Sequence, residues 1–239
     1  MNRLIKTVIA AAAIAAVAPV TAGDIEEEEG VVGWTPVAIG LATPVQLPWG
    51  IDKWDVFGLD VNLFYTDTPK MYGLGVGGLG MTTRQDLIGV GVGGLFNYAA
   101  ADVYGLRASL GANICRGTVY GFDAGLVSYH HIVRGVNAAF LGGLYDQLYG
   151  VQASLVVNFA REMNYGLSAT LGANIAHTAY GCQAALVFNH ANLLHGAQIG
   201  LINFADECEW GFQVGLINVI MSNKIKVLPI VNEIGRAHV

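Results

Sequence analysis

The sequence predicts an all-β protein, an antiparallel up-and-down β-barrel of about twelve strands built from repeats of about 15 residues. Three observations lead to this fold. A glycine recurs every 14 to 16 residues, apolar and polar side chains alternate within each repeat, and the four or five residues left between repeats suit a tight hairpin turn. The repeat glycines are Gly58, Gly73, Gly89, Gly105, Gly121, Gly135, Gly150, Gly166, Gly181, Gly196 and Gly211.

The first 33 residues lie before the repeats and divide into two segments. Residues 1–22 resemble a secretory signal peptide, with Arg3 and Lys6 ahead of an Ala-rich apolar run and small residues before the predicted cleavage site after Ala22. Residues 23–33 form an acidic N-terminal segment, for which a solvated tail is expected. Residues 34–239 are the predicted repeat domain. The alternative for the apolar run is an uncleaved anchor helix.

The alternation within a repeat decides between a barrel and its alternative, a β-solenoid. In "YGLRASLGANI" (104–114) it runs for 11 residues, about 35 Å as one extended strand, and four or five residues remain before the next copy. So short a gap would not carry the chain back across that distance, but it makes a tight hairpin. A series of Asn residues seven or eight positions after the glycine favours the solenoid, in which Asn residues stack. The stretch 34–47, with Pro36 and Pro44, is expected to be an edge strand.

Alternate residues of each repeat form two sets, and a barrel would place the two sets on opposite faces of its wall. The second residue after the glycine is never a large apolar one, and these side chains are expected to face a polar lumen, where Arg107 and Asp123 could pair across neighbouring strands. The residue before the glycine is aromatic in most copies, and strands that start at alternate rims would place these rings in two membrane-interface girdles. The predicted lumen residues are Arg107, Asp123, Gln152, Gln183, Gln198 and Gln213. The predicted girdle residues are Tyr72, Tyr104, Tyr120, Tyr149, Tyr165, Tyr180 and Trp210.

The copies "GAQIGLINF" (196–204) and "GFQVGLINV" (211–219) make the chain similar to a family of bacterial surface repeat-containing proteins, which carry runs of Gly-x-Gln-x-Gly-Leu-x-Asn. The stretch 43–65 also looks like the usual opening of such proteins. The resemblance covers residues 34–232. It implies a cell-surface or outer-membrane location and no known enzymatic role, and it carries over no catalytic residues.

The sequence contains no arrangement typical of catalysis or cofactor binding, so neither an enzyme nor a cofactor is expected. Gly75, Gly77 and Gly80 have dinucleotide-loop spacing, but a repeat copy and not a helix follows them. Three cysteines show no CxxC spacing, and the His residues are expected to be polar residues of strand ends. A net charge of −6 without a basic patch argues against nucleic acid.

These patterns predict an exported protein at the outer membrane or cell surface, with lipid as its partner. Only 13% of the residues are charged, although no apolar run beyond the N-terminus is long enough for a membrane helix. The main expectation is a non-enzymatic outer-membrane barrel, structural or weakly pore-forming. The alternative is a secreted soluble β-repeat solenoid acting as an adhesin or scaffold.

Overall fold

The computed structural model describes residues 31–234. The predicted signal peptide and residues 23–30 of the acidic segment therefore lie outside the described residues. The described chain is almost entirely β-structure, with one short 3-10 helix, Ile51–Lys53. The strands are β1 (Gly33–Ala42), β2 (Val45–Leu47), β3 (Trp54–Thr68), β4 (Met71–Gly77), β5 (Gly80–Thr83), β6 (Leu87–Gly93), β7 (Phe96–Ala99), β8 (Val103–Ser109), β9 (Ala112–Ser154), β10 (Val157–Thr170), β11 (Ala173–Ala185), β12 (Phe188–Ile199), β13 (Ile202–Ile220) and β14 (Val227–Ile234).

Successive repeats pair in parallel, so the predicted antiparallel barrel is wrong and the solenoid alternative fits. Equivalent residues of neighbouring repeats lie opposite one another. Gly166, for example, pairs with Gly150 on one side and with Gly181 on the other. Each repeat is one turn of a β-solenoid, and about ten turns separate Gly58 from Gly211.

The barrel prediction failed because the alternation of side chains continues through a bend. In the turn that begins at Val103, β8 ends at Ser109, the chain bends at Leu110–Gly111, and a second, shorter extended segment starts at Ala112. The 11 residues read as one straight strand therefore lie on two faces, and the short segment returns the chain to the start of the next turn.

Each turn of the solenoid has two faces and two edges. The broad face is built from seven-residue segments such as β4, β6 and β8, and the narrow face from four-residue segments such as β5 and β7. The leucine edge is where broad segments pass into narrow ones, for example at Leu79 and Leu110. The charged edge is where narrow segments pass into the next broad one, for example at Arg84–Asp86 and Arg116–Thr118.

The repeat glycines form one column along the broad face, and all eleven have a positive φ, between 128° and 153°. A Cβ atom added to any of them would lie under 3.0 Å from the carbonyl oxygen of the preceding turn, and real Cβ atoms essentially never approach so closely. Only glycine fits this backbone conformation and this spacing. The regular glycine of the sequence is thus a requirement of the stacking.

The interior is layered between the two edges. Beside the charged edge lies an apolar lane that includes Val103, Val119, Leu148 and Leu194, all fully buried. Polar side chains of both faces meet in the middle of the interior. Beside the leucine edge the inward residues are small, as at Gly77.

The two ends of the solenoid are closed by short antiparallel strands. At the N-terminal end β1 pairs in parallel with β3, and β2 folds back on β1, so the predicted edge stretch 34–47 does lie at an edge. At the C-terminal end β14 runs antiparallel to β13 and places Asn232 opposite Gln213. Within residues 31–234, the outer sides of β2 and β14 lack a neighbouring strand, and so does the part of β1 before Ile39, which β2 does not reach.

Substitution of the column glycines tests this stacking. We expect Gly166→Ala to lower the free energy of unfolding by roughly 3 kcal/mol or more, because the new Cβ adds positive-φ strain to overpacking against backbone. Gly33→Ala is the matched control, since a Cβ there meets only Trp54 ring carbons at 3.6 Å or more. Thermal unfolding followed by circular dichroism measures both. Equal midpoints for the two variants would contradict the stacking.

Candidate functional site

The Asn series of the sequence forms a hydrogen-bonded ladder inside the solenoid. Asn158, Asn174, Asn189, Asn203 and Asn218 lie on successive turns. Each Nδ2 donates to the Oδ1 of the next Asn over 2.8–3.0 Å. Most also donate to a backbone carbonyl of the broad segment opposite, as Asn189 does to Ile199 O over 2.8 Å. The ladder therefore joins the two faces as well as the turns.

The residues predicted to face a lumen occupy the middle of this interior. Gln183, Gln198 and Gln213 form a second amide ladder, in which each Nε2 donates to the preceding Oε1 over 2.7–2.8 Å. The solenoid encloses these side chains and no water-filled lumen surrounds them. The six residues, none more than 1% exposed, are Arg107, Asp123, Gln152, Gln183, Gln198 and Gln213.

Arg107 and Asp123, the one charge pair expected from the sequence, do meet. Arg107 Nη2 lies 2.6 Å from Asp123 Oδ2, and His130 Nε2 lies 2.9 Å from the same oxygen. Burial alone would raise the pKa of Asp123, but the charges and hydrogen bonds of Arg107 and His130 outweigh it and hold the pKa at about 2. Burial lowers the pKa of His130. All three side chains are at most 1% exposed, so a dissolved substrate has no access to them.

Asp60 is a buried carboxylate that accepts hydrogen bonds but has no cation beside it among the described contacts. Asn62 Nδ2 donates to Asp60 Oδ1 over 2.9 Å, and the Thr66 hydroxyl donates to Oδ2. Burial raises the pKa of Asp60 to about 6, and the Thr66 hydrogen bond offsets only part of that rise. The carboxyl group thus links the broad face to the narrow face. Its ionised form lowers the stability of the fold, because the charge is buried.

The predicted aromatic girdles are replaced by one outward column on the broad face. All turns run in the same direction, so the residue before each glycine recurs at the same rim and the two-girdle arrangement fails with the barrel. Parallel stacks of rings with centroids 4.4–5.1 Å apart join Phe57 to Tyr72, Tyr104 to Tyr120, and Tyr149, Tyr165, Tyr180 and His195 in sequence. Trp210 meets His195 edge-on at 6.2 Å.

The stacking of the rings determines which parts of this aromatic column are exposed to solvent. Neighbouring rings cover one another's faces, so the outer surface consists of ring edges and hydroxyl tips. Arg134 interrupts the column, and its guanidinium lies over the rings of Tyr120 and Tyr149 at 5.7 and 5.2 Å. A flat platform on which a sugar ring could stack is therefore missing along these turns.

The leucine edge is the feature that sequence reasoning missed. Every bend from the broad to the narrow face between residues 63 and 217 carries an exposed large apolar side chain, and Asp, Glu, Lys and Arg are absent from these bends. Exposed fractions reach 81% for Leu110 and 67% for Leu216. The side chains are Leu63, Phe64, Leu79, Leu95, Leu110, Leu126, Phe140, Leu141, Leu155, Val156, Leu171, Leu186, Val187, Leu201, Ile202, Leu216 and Ile217.

The opposite edge carries most of the charge in residues 58–217 and pairs it between turns. Arg84 Nη2 lies 2.9 Å from Asp67 Oδ2, and Asp146 accepts from His131 over 2.8 Å and from Arg161 over 3.4 Å. The solenoid is therefore amphipathic across its axis, with an apolar edge on one side and a charged edge on the other.

Metal and thiol chemistry has little support in the described chain. Among residues 31–234, no group of three His, Cys, Asp or Glu side chains is placed to hold a metal ion. Cys115, Cys182 and Cys208 are free, and only Cys182 is partly exposed.

No helix within residues 31–234 is both long and apolar enough to cross a lipid bilayer.

The comparisons with known proteins give no family: no family model, no curated protein and no solved structure matches the chain. The resemblance to surface repeat-containing proteins therefore stays a prediction. The leucine edge, the charged edge and the aromatic column, which lies on the broad face next to the charged edge, remain as the candidate site.

The Asn ladder predicts that an interior amide stabilises the fold far more than a surface one. We expect Asn189→Ala to lower the free energy of unfolding by about 2–3 kcal/mol, because the variant loses the bonds to Asn174, Asn203 and Ile199 O and leaves buried groups unpaired. Asn192→Ala, at the charged edge, removes only an exposed bond to His177 and is expected to cost under about 1 kcal/mol. Urea unfolding compares the two, and similar losses would contradict the ladder.

Asp60 predicts a pH dependence of stability. Its pKa of about 6 when folded exceeds the ordinary value of 3.8, so the folded state binds the extra proton between these values. Stability should fall as pH rises from about 4 to 6, by about 3 kcal/mol for this group. His130, with its lowered pKa, acts in the opposite direction, and Asp60→Asn isolates the Asp60 contribution. The free energy of unfolding of Asp60→Asn minus that of wild type should increase from about pH 4 to pH 6. If the two free energies instead change in parallel with pH, the raised pKa of Asp60 is refuted.

Proposed function

We propose that the chain is an exported, non-enzymatic solenoid surface protein, a scaffold that attaches to outer-membrane lipid through its leucine edge. The observation that carries the proposal is the run of exposed apolar side chains at every bend of that edge. The signal-like residues 1–22 support export. This function refines the solenoid alternative of the sequence and involves no pore.

The composition of the bends favours an apolar environment over water. Bends at a protein surface are ordinarily rich in Gly, Asn, Asp and Ser, which suit the turn geometry and hydrate well. Here some bends keep a glycine, as at Gly111, but each one presents a Leu, Phe, Val or Ile where Asn, Asp or Ser would hydrate well. Transfer of one such side chain from water to hydrocarbon yields roughly 1.5–3 kcal/mol, so even a few turns would give stable attachment.

The position of the aromatic column fits insertion into one leaflet. Six residues separate Tyr165 from Leu171, which is about 20 Å along an extended segment. Half of the hydrocarbon core of a bilayer measures about 15 Å. A leucine edge near the bilayer midplane would therefore place the tyrosines at the lipid headgroups, where such rings are enriched, and the charged edge in water.

The backbone of the inner turns is compatible with lipid. Hydrocarbon requires that peptide groups find partners within the protein. In the solenoid each inner turn is hydrogen-bonded to the turns before and after it, and buried amides such as Asn174 and Asn189 are bonded within the interior. Insertion would therefore not strip the inner turns of their hydrogen bonds.

Vesicle binding tests the proposal. Co-sedimentation with phosphatidylcholine vesicles should capture the wild-type chain at 0.05 and at 1 M NaCl alike, because apolar burial and not charge drives attachment. Leu110→Glu combined with Leu171→Glu should weaken binding more than tenfold, since two exposed anchors are replaced by charges. Both side chains are more than half exposed, so the fold should persist by circular dichroism.

The control adds the same two glutamates at the charged edge, as Arg116→Glu with His177→Glu, and should leave binding intact. The emission that a tryptophan at Leu171 adds to that of the four native tryptophans should be quenched by lipids brominated deep in the acyl chain, whereas the emission added by a tryptophan at His177 should not. Equal loss of binding in both double variants, or no binding by the wild type, would overturn the proposal.

A further inference from the structure

The broad face presents a second apolar surface, separate from the leucine edge. Three outward columns run along it: the aromatic column, a middle column one residue after each glycine, and a third column three residues after it. On one turn these positions are Tyr149, Val151 and Ala153. Arg134 and His195 are the only ionisable side chains other than the tyrosines and Cys182 in these columns between residues 57 and 214.

The size of this face is that of a protein–protein interface. Eleven turns at about 4.8 Å each give a length of about 50 Å, and the three columns span about 15 Å, so the flat area is roughly 750 Å². Stable dimers bury about 800 Å² on each partner. Contiguous apolar patches on monomers seldom exceed a few hundred Å², so this face needs a cover in water.

The face is complementary to itself in one orientation. From Tyr104 to Tyr180 the aromatic column is large, and on the same turns the third column is always alanine. Four of these alanines, Ala108, Ala124, Ala138 and Ala153, form the floor of an apolar groove of about 790 Å³, with leucine-edge side chains such as Leu126 at its border. A half-turn about a line along the middle column sets the tyrosines of one copy over the alanines of the other. A half-turn along the strand direction would instead oppose tyrosine to tyrosine and leave both grooves unfilled.

We propose that, in the absence of lipid, two copies of this chain pack broad face to broad face about a two-fold axis that follows the middle column. Sheet packing at about 10 Å would bring middle-column residues of equal number together. The same rotation directs the two leucine edges to opposite sides. Such a dimer cannot place both leucine edges in one leaflet, so lipid attachment competes with it.

Cys182 provides a native probe of the axis. It lies in the middle column and is the one partly exposed cysteine. A short bis-maleimide in lipid-free buffer should give a cross-linked dimer on a denaturing gel, because sheets about 10 Å apart hold the two Cα atoms beyond the roughly 7 Å that a disulfide can bridge. Cys182→Ser should abolish the link, and adding Leu167→Cys, in the same column, should restore it. Adding Arg116→Cys at the charged edge instead should not.

A separate cross-linking experiment tests the relative orientation of the two copies. In the Cys182→Ser background, a mixture of Tyr165→Cys and Ala169→Cys chains should link to each other, and each alone should link poorly. Strong linking of Tyr165→Cys to itself would overturn the proposed axis.

Solution mass completes the test. Light scattering should give twice the chain mass for wild type without lipid, and Ala153→Arg with Ala169→Arg should reduce it to one chain. A monomeric wild type, or linking at Arg116→Cys equal to that at Cys182, would overturn the dimer. Because mass is measured without vesicles, its failure leaves the lipid result standing. Conversely, a dimer that binds no vesicles would count against the proposed function alone.

Discussion

The close contact between one glycine and the carbonyl of the glycine below it governs the architecture of the solenoid. All eleven positions have a positive φ and no room for a Cβ, so each turn of the broad face stacks only when its own repeat position is a glycine. Ten of these glycines meet the glycine of the turn below, and Gly58 meets Pro36. The remaining positions of the repeat are then also stacked in register. Residues of the same type at one repeat position therefore form a column along the solenoid. The aromatic column, the alanine column, the Asn ladder and the leucine edge all follow from that one register.

Registered stacking also explains why the interior contains amides where most proteins place large apolar groups. An amide is both donor and acceptor, so a column of Asn or Gln satisfies itself along the axis, as Gln183, Gln198 and Gln213 do. A column of like charges would repel itself. The buried ions accordingly occur either in opposition, as Arg107 and Asp123, or as a single carboxyl group, Asp60, whose pKa is raised. With polar groups turned inward, the apolar side chains of the repeat are left on the outside.

The sequence predicted the period, the two parities and the meeting of Arg107 with Asp123, because these follow from the spacing of side chains alone. It could not give the direction of the strands, because a two-residue bend such as Leu110–Gly111 preserves the alternation and is read as continuous strand. The Asn series held the correct signal, since only parallel turns bring Asn158 onto Asn174. The leucine edge was recoverable too: leucine recurs five or six residues after the glycine, at a position that geometry reserves for a bend.

The most direct test of this account measures distances along the charged edge with pairs of spin labels. One label stays at Arg116 and the second moves to His177, Asn192 and then Glu207, which lie four, five and six turns away. A parallel solenoid predicts distances that grow steadily, by about 5 Å per turn, from about 19 to about 29 Å. Distances that alternate between near and far would mean that successive repeats run in opposite directions and would contradict the stacked glycines, the amide ladders and the leucine edge together.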